Sequence, residues 1–395
     1  MSLPPLFLRK GQERRVLVGH LWVYSNEVDV KQSSLKTFQA GELVEVRRYD
    51  GKTLGVAYIN PASLICARIV GDHGIEQLDS DWFYQRFSTA LAFREKCFAN
   101  PYYRLVHSEG DFLPGLVIDR YGDYVVIQIN TQGMECVKDQ IVEAIDRLLS
   151  PRGILLRNDS GSRAQEGLDQ TNLWIKDGVS ETEIIENDTR FMIPMEEGQK
   201  TGWFYDHREN RARLRHWVNN ANVLDMFSYL GGWGIQAANA GAKHVTCVDA
   251  SESAITRVRQ NAALNGCQNA IEAVCDDAFD ALKSLKKSGR SFDVVVVDPP
   301  AFIKRKKDME QGEQAYQRLN NLALELLEKG GILVSASCSH HLEESSLQRM
   351  ILRAGRKQQR PMQIFARGDQ GSDHPIHPAI PETRYIKTFF ARAAD

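Results

Sequence analysis

Ser335-Ala336-Ser337-Cys338-Ser339-His340 sets one thiol among small hydroxylated residues at the end of an apolar run. A cysteine there can be a nucleophile if its thiolate is accessible and stabilised. A single cysteine is more often a small buried hydrophobe. Ser337, Ser339 and His340 do not read as core, which singles out Cys338; the other six cysteines, at 66, 97, 136, 247, 267 and 275, lack such flanks. Asp298-Pro299-Pro300-Ala301-Phe302 ends a second apolar run, Val294 to Val297. Two prolines hold an extended turn and remove two backbone donors. Carbonyl and carboxylate oxygens then face outward, a set suited to a flat heterocycle bearing an amino group. A merely rigid loop after a buried strand would not call for Asp298.

A third constellation is Asp225-Met226-Phe227-Ser228-Tyr229-Leu230-Gly231-Gly232-Trp233-Gly234. Glycines between a strand and a helix let the backbone approach a ligand, and the helix start offers free N–H groups. Gly232-x-Gly234-x-x-Ala237 satisfies a loose dinucleotide fingerprint, which tight strand–helix packing explains about as often. Asp225 favours S-adenosylmethionine over NAD, because a carboxylate in this turn repels a pyrophosphate and attracts a methionyl ammonium. Asp249 ends the next strand, where a carboxylate can accept ribose hydroxyls. Asp277, followed by Ala278-Phe279, suits an adenine amino group and an apolar wall. Each aspartate alone could be a helix cap. Three at successive strand ends beside the glycines favour the cofactor, with Phe227, Gly231, Gly232 and Asp298 in the same site.

These residues need elements to hold them. Residues 1–78 read as short strands and turns: Leu43 to Val46 alternates, Asp50-Gly51 turns the chain, and Thr53 to Ile59 and Leu64 to Val70 follow. Residues 79–193 are mixed, with a helix over Trp82–Phe98, strands at Leu116–Ile118 and Val125–Ile127, a helix over Cys136–Leu149, and strands at Gly153–Arg157 and Glu183–Ile193. From 194 to 395, strands at Val223–Phe227, Val245–Asp249, Ile271–Asp276, Phe292–Asp298 and Gly331–Ser337 alternate with helices such as Ser253–Asn265 and Gln314–Glu328. That alternation predicts an α/β fold: a doubly wound, mostly parallel Rossmann-like sheet, with Met362–Phe365 and Arg384–Phe390 adding edge strands.

Taken together, Asp298-Pro299-Pro300, Ser337-Cys338-Ser339, the 225–234 loop and Gln199-Lys200-Thr201-Gly202-Trp203-Phe204-Tyr205-Asp206-His207-Arg208 resemble the bacterial cytosine-C5 methyltransferases of large-subunit ribosomal RNA. The resemblance covers the whole chain. Gly19-His20-Leu21-Trp22-Val23-Tyr24-Ser25 looks like that family's PUA RNA-binding domain, a small β-barrel. The stretch from Gly110 to Arg120 looks like its central α/β domain, and Asp373-His374-Pro375 and Pro381-Glu382 match its C-terminal part. The resemblance implies an S-adenosylmethionine-dependent enzyme in which Cys338 attacks C6 of cytosine and the methyl group passes to C5. Asp298 would then hold the N3/N4 edge. Many RNA cytosine methyltransferases carry a second cysteine after the Asp-Pro pair; here Pro300 stands in that place, which leaves the elimination base unassigned. Asp-Pro-Pro-aromatic also occurs in amino-group methyltransferases, and Cys338 is the feature against that reading. An NAD-dependent oxidoreductase and a non-catalytic RNA-binding assembly factor also stay open.

RNA handling would fall to local patches, since 49 Lys+Arg against 51 Asp+Glu leave a net charge of -2. Lys304-Arg305-Lys306-Lys307 follows Asp298-Pro299-Pro300-Ala301-Phe302-Ile303, and Arg208, Arg211, Arg213 and Arg215 follow Lys200. Charge runs are usually solvated faces, but both of these flank the inferred crevice. Pro299, Pro300 and Phe302 would meet the target base. Asp206 and Glu209 have capping-box spacing. Arg9, Lys10, Arg14 and Arg15 with Trp22 and Tyr24 could track and stack a single strand, or the aromatics could be core. Scattered cysteines without a C-x-x-C pair argue against a disulfide scaffold or a zinc site. No apolar run approaches the ~18 residues that cross a bilayer. The expectation is a cytoplasmic enzyme without metal or membrane partner, acting on ribosomal RNA, with room for a homodimer.

Overall fold

The computed structural model describes residues 3–197 and 201–395. Lys200 and Gln199 lie outside the described residues. The chain forms two compact units, one of Met1–Thr182, Pro194–Tyr205 and Ser372–Thr383, the other of Glu183–Ile193, Asp206–Gly371 and Arg384–Asp395.

The first unit holds two five-stranded sheets. In the first sheet, Pro5–Phe7, Leu43–Arg47, Thr53–Ile59, Ile65–Gly71 and Trp22–Tyr24 lie in that spatial order. A bridge between Leu8 and Val28 links the two edges, so the sheet curls toward a barrel around Leu6, Val23, Val44, Val46, Ala57 and Ala67. In the second sheet, Thr171–Trp174, Gly153–Asn158, Tyr124–Ile129, Leu116–Tyr121 and Tyr102–His107 lie side by side, with helices Ser80–Cys97 and Lys138–Leu149 in the same unit. Val56, Tyr58 and Val70 of the first sheet share a core with Phe83, Phe87, Leu105 and Ile127.

The second unit is built on seven strands: β1 (Asn222–Met226), β2 (His244–Asp249), β3 (Ile271–Cys275), β4 (Phe292–Val297), β5 (Leu327–Ser337), β6 (Met362–Gly368) and β7 (Lys387–Ala393). Their spatial order is β3-β2-β1-β4-β5-β7-β6. The first five run parallel, and β7 pairs antiparallel with both β5 and β6. The helices include α1 (Gly234–Asn239), α2 (Glu252–Leu264), α3 (Ala278–Lys287), α4 (Met309–Glu325) and α5 (Glu344–Lys357). Val295 and Val297 face a core with Leu282, Tyr316, Leu319 and Leu347; Val294 and Val296 face one with Val245, Ile255 and Val258. A strand covered on both faces has no polar alternation to show, so β4 reads as four consecutive valines.

Two sequence expectations are corrected here. Glu183–Ile193 is not one strand but a hairpin, Glu181–Glu186 and Thr189–Pro194, turned by Asn187 and Asp188 at φ 51° and 62°. Asp206 is not the N-cap of the helix Arg208–Leu214: His207 holds that position without a side-chain bond, and Asp206 accepts the Tyr385 hydroxyl at 2.7 Å.

Candidate active site

Order β3-β2-β1-β4 reverses direction between β1 and β4, the switch point at whose carboxyl edge open α/β sheets bind ligands. The chain leaves β1 through a strained loop. Phe227 and Tyr229 both lie in the left-handed region, at φ 63° and 50°, and Gly231 follows at φ 85°. Non-glycine residues keep such conformations only when their surroundings impose them. The surroundings are carboxylates: Asp249 Oδ2 accepts the Tyr229 N–H at 2.9 Å, and Asp225 Oδ2 accepts the Gly234 N–H at 2.8 Å. Gly234 has no room for a side chain, because a Cβ would run into Cys247 Sγ and come within 3.1 Å of Asp225 Oδ2.

Asp225 is fully buried, and burial pushes its carboxyl up to about 8, with Asp298 and Asp249 adding to the rise. Its Oδ1 and the Ser228 hydroxyl are both buried without a hydrogen-bond partner. Half-buried Asp249 has its other oxygen on the Ser251 N–H at 2.9 Å. Asp277 caps α3, accepting from Phe279 N at 2.9 Å and Asp280 N at 3.3 Å, and stays exposed. The helix-cap role weighed from sequence is thus real for Asp277, and its second oxygen is left for other donors. Phe279 and Phe302 stack with centroids 6.4 Å apart, Phe227 meets Phe302 edge-on, and the Arg318 guanidinium lies 4.6 Å above Phe279. Unmet buried acceptors, three carboxylates and an aromatic wall fit S-adenosylmethionine, which brings hydroxyl and amino donors, a cationic head and a flat base.

On the other side of the switch point, Asp298 follows β4 and Cys338 follows β5, and the two strands pair with Val297 opposite Ser335. Trp233 donates its indole N–H to Asp298 Oδ2 at 3.0 Å, and His207 Nε2 lies 3.3 Å from Oδ1. Behind it, the Asn210 amide nitrogen lies 3.2 Å from His207 Nδ1. Burial works to raise the Asp298 pKa, but His207 and the Trp233 bond outweigh it and hold the carboxyl below its usual value. Sequence reasoning missed both partners. Trp233 sits in the glycine loop, where its polar tip gave no pattern to read.

The Cys338 loop is tied to the Asp-Pro-Pro turn. The half-buried thiol lies 3.8 Å from the Pro299 carbonyl oxygen, and Ile303 N–H donates to Ser339 Oγ at 3.2 Å. Ser337 and Ser339 are fully buried, contrary to their reading as non-core, and both bond the Tyr316 hydroxyl at 2.9 Å. They are struts; Cys338 and exposed His340 are what the loop presents. Pro299 is buried and Pro300 exposed, while Phe302 is half-buried against Tyr316 at 4.8 Å.

The basic clusters separate. Lys304, Arg305, Lys306 and Lys307 are all exposed. Arg208 is corrected: it is 7% exposed and lies 3.5 Å from Glu186, a buried carboxylate that also takes Arg211 at 2.7 Å. A guanidinium committed to a buried carboxylate has little left for a phosphate. In the first unit, Arg15 pairs with Glu27 at 2.8 Å and stacks on Tyr24 at 4.7 Å, and the half-buried Trp22 donates its indole N–H to Glu109 at 2.8 Å. Among the described residues no group of three or more His, Cys, Asp or Glu could hold a metal, and no helix is long and apolar enough to cross a membrane.

Strand order, glycine loop, carboxylates at successive strand ends and the Asp-Pro-Pro turn define an S-adenosylmethionine-dependent methyltransferase fold preceded by a PUA-like domain. The family model for S-adenosylmethionine-dependent methyltransferases matches residues 164–352, and that for PUA-like domains matches 6–71. "Ribosomal RNA large subunit methyltransferase I" of Shewanella denitrificans is 35% identical over 391 residues, covering 98% of each chain. The protein of that name from Aeromonas hydrophila is 35% identical over 395 residues, covering 98% of this chain and 99% of its own. The chain belongs to the ribosomal RNA large subunit methyltransferase I family, and S-adenosylmethionine is its cofactor. Among solved structures, SMU.776, assigned as a methyltransferase and solved with SAH, superimposes with a TM-score of 0.85 over 99% of this chain and 100% of its own, at 21% identity. That likeness concerns the fold.

Proposed function

We propose that the protein methylates C5 of a cytosine in large-subunit ribosomal RNA through a covalent bond from Cys338 to C6. Two supports carry the substrate: the family relatives are named for large-subunit ribosomal RNA, and a PUA-like domain accompanies the catalytic fold. The single observation that carries the chemistry is the closeness of Cys338 to the Asp-Pro-Pro turn, with Sγ 3.8 Å from Pro299 O.

Carbon C5 of cytosine is a poor nucleophile until something adds at C6. The Cys338 thiolate uses a sulfur electron pair to form the S–C6 bond, and the C5=C6 π pair breaks and shifts onto C5. Asp298 holds the N3/N4 edge, its carboxylate accepting from the exocyclic amino group while Trp233 and His207 keep it in place. S-adenosylmethionine, held by Asp225, Phe227, Gly231, Gly232, Asp249, Asp277 and Asp298, supplies an electrophilic methyl group. Loss of the C5 proton then returns the electron pair and expels Cys338. Pro299, Pro300 and Phe302 frame the base, and Lys304 to Lys307 meet phosphates. A cytosine in a helix must leave the stack to reach Cys338, so a single-stranded or opened site is expected. In this reading residues 1–78 bind RNA, 79–193 form the central domain and 194–395 catalyse.

The test is RNA carrying 5-fluorocytosine at the target. Fluorine cannot leave as a proton, so the wild type should remain covalently attached to the RNA. Cys338→Ala should bind S-adenosylhomocysteine normally, form no adduct and transfer no methyl group. Methyl transfer by Cys338→Ala near the wild-type rate would make the product an amino-methylated base and remove Cys338 from the chemistry.

A further inference from the structure

Lys387 opens β7, directly opposite Ser337 in the β5–β7 register, and is 7% exposed. Its Nζ donates to the Ser339 carbonyl at 2.8 Å and the Tyr385 carbonyl at 3.2 Å. Among the described residues no carboxylate lies within ion-pair distance of it. The nearby acids are already neutralised: Arg384 takes Asp369 at 2.8 Å and Glu344 at 3.0 Å. Tyr385 spends its hydroxyl on Asp206. A buried ammonium bonded only to neutral carbonyls lacks a counter-charge: its pKa falls unless a nearby anion compensates it.

Cys338 directly precedes the residue whose carbonyl holds Nζ, and a negative charge on its sulfur would act on the ammonium in the sense needed. We propose that Lys387 is a positioning residue for Cys338: its ammonium is the counter-charge that keeps the sulfur as thiolate, while its bond to Ser339 O fixes the loop that presents it. This rests on the nucleophilic role given to Cys338 above. The charges around Nζ act in both directions. Burial and Arg384 push the Lys387 pKa down to about 8; Cys338, Asp369 and Glu344 pull it up. Lys387 therefore stays charged near neutral pH and gives up its proton as pH rises through that value. Burial of Tyr316, whose hydroxyl holds Ser337 and Ser339, pushes its pKa up to about 12, so it stays a neutral donor throughout.

The experiment is the rate of iodoacetamide alkylation at Cys338 in the full chain against pH, read peptide by peptide by mass spectrometry. A free thiol titrates near pH ~8.5. The wild-type midpoint should fall at least one unit below that. Lys387→Met should raise it by one unit or more, a tenfold loss of thiolate at neutral pH, and lower kcat with KM for RNA little changed. Lys387→Arg, which keeps the charge, should restore most of the shift. Bound S-adenosylhomocysteine reports that each variant is folded. A wild-type midpoint near 8.5, or a Lys387→Met midpoint equal to wild type, overturns the inference; the first needs no variant to fold. An ordinary midpoint with an inactive Cys338→Ala would sink this inference alone. A depressed midpoint with an active Cys338→Ala would sink the nucleophile reading alone.

Discussion

Trp233 Nε1 donates to Asp298 Oδ2 across 3.0 Å, joining the residue that follows the paired glycines of the 225–234 loop to the acid that follows β4. The two loops are therefore one hydrogen-bonded unit. Trp233→Phe keeps the ring and removes the donor. Methyl transfer should fall by about 10- to 100-fold, the equivalent of ~1.5–3 kcal/mol for a bond to a charged group. The acid limb of the rate profile should move to higher pH, because Asp298 loses a bond that holds its pKa down. Single-turnover rates followed from neutral pH down to about pH 3, through the ordinary carboxyl range, check this; an unmoved acid limb would detach Asp298 ionisation from the rate.

The Asp225 carboxyl, at about 8 in the fold against 3.8 ordinarily, makes stability depend on pH in an unusual direction. Between those values the unfolded chain has released a proton that the folded chain keeps. Rising pH therefore favours unfolding across that window. Asp225→Asn removes the proton and can still accept the Gly234 N–H. The Tm of the ligand-free asparagine variant, relative to wild type, should climb as pH goes from about 4 to about 8. A difference independent of pH would mean that Asp225 is ionised in the fold.

Asp249 serves both the Tyr229 and the Ser251 N–H groups. Asp249→Ala should weaken S-adenosylhomocysteine binding in calorimetry by ~1.5–3 kcal/mol, for one lost carboxylate–hydroxyl bond. It should also lower Tm, because Tyr229 loses the acceptor that holds it at φ 50°. Asp249→Asn should recover the Tm more fully than the binding.

At Gly234, a methyl group meets Cys247 Sγ, Asp225 Oδ2 and Val245 Cγ1 together. Gly234→Ala should cost ~1–3 kcal/mol of stability by overpacking, read as a lower midpoint in urea. Cys247→Ala in the same chain should recover part of it. No recovery would place the strain on the backbone instead.

The exposed run Lys304-Arg305-Lys306-Lys307 makes a prediction about salt. Neutralising all four should weaken binding to single-stranded RNA and flatten its salt dependence, by about 0.7 in log–log slope for each phosphate that no longer meets a cation. Arg208→Gln should leave the slope alone and lower Tm instead, because Arg208 faces buried Glu186.

What the sequence made legible follows from period and position. Four consecutive valines, alternating βα segments and aspartates after apolar runs marked the sheet and its ligand edge, because burial on both faces and strand-end chemistry leave local traces. The hairpin at Asn187-Asp188 was hidden, since its two strands look like one run when neither turn residue is glycine. Arg208 was misjudged because Glu186, its partner, lies well upstream with no helical spacing to connect them. Ser337 and Ser339 misled for a related reason: polar side chains suggest solvent unless the Tyr316 hydroxyl that satisfies them is known. Lys387 and His207 were out of reach, each meeting its partner only through the register of β7 or the approach of a distant loop.

Strand β7 lies between β5 and β6, although it follows both in the chain. During synthesis, β5 and the Cys338 loop emerge from the ribosome well before Lys387, so the thiol-bearing loop waits with one flank uncovered until β7 arrives and slots between two strands already made. The site is thus assembled last from its far end. An emerging chain can therefore pair β1 to β4, with the glycine loop and the Asp-Pro-Pro turn, before the Cys338 loop gains its last neighbouring strand.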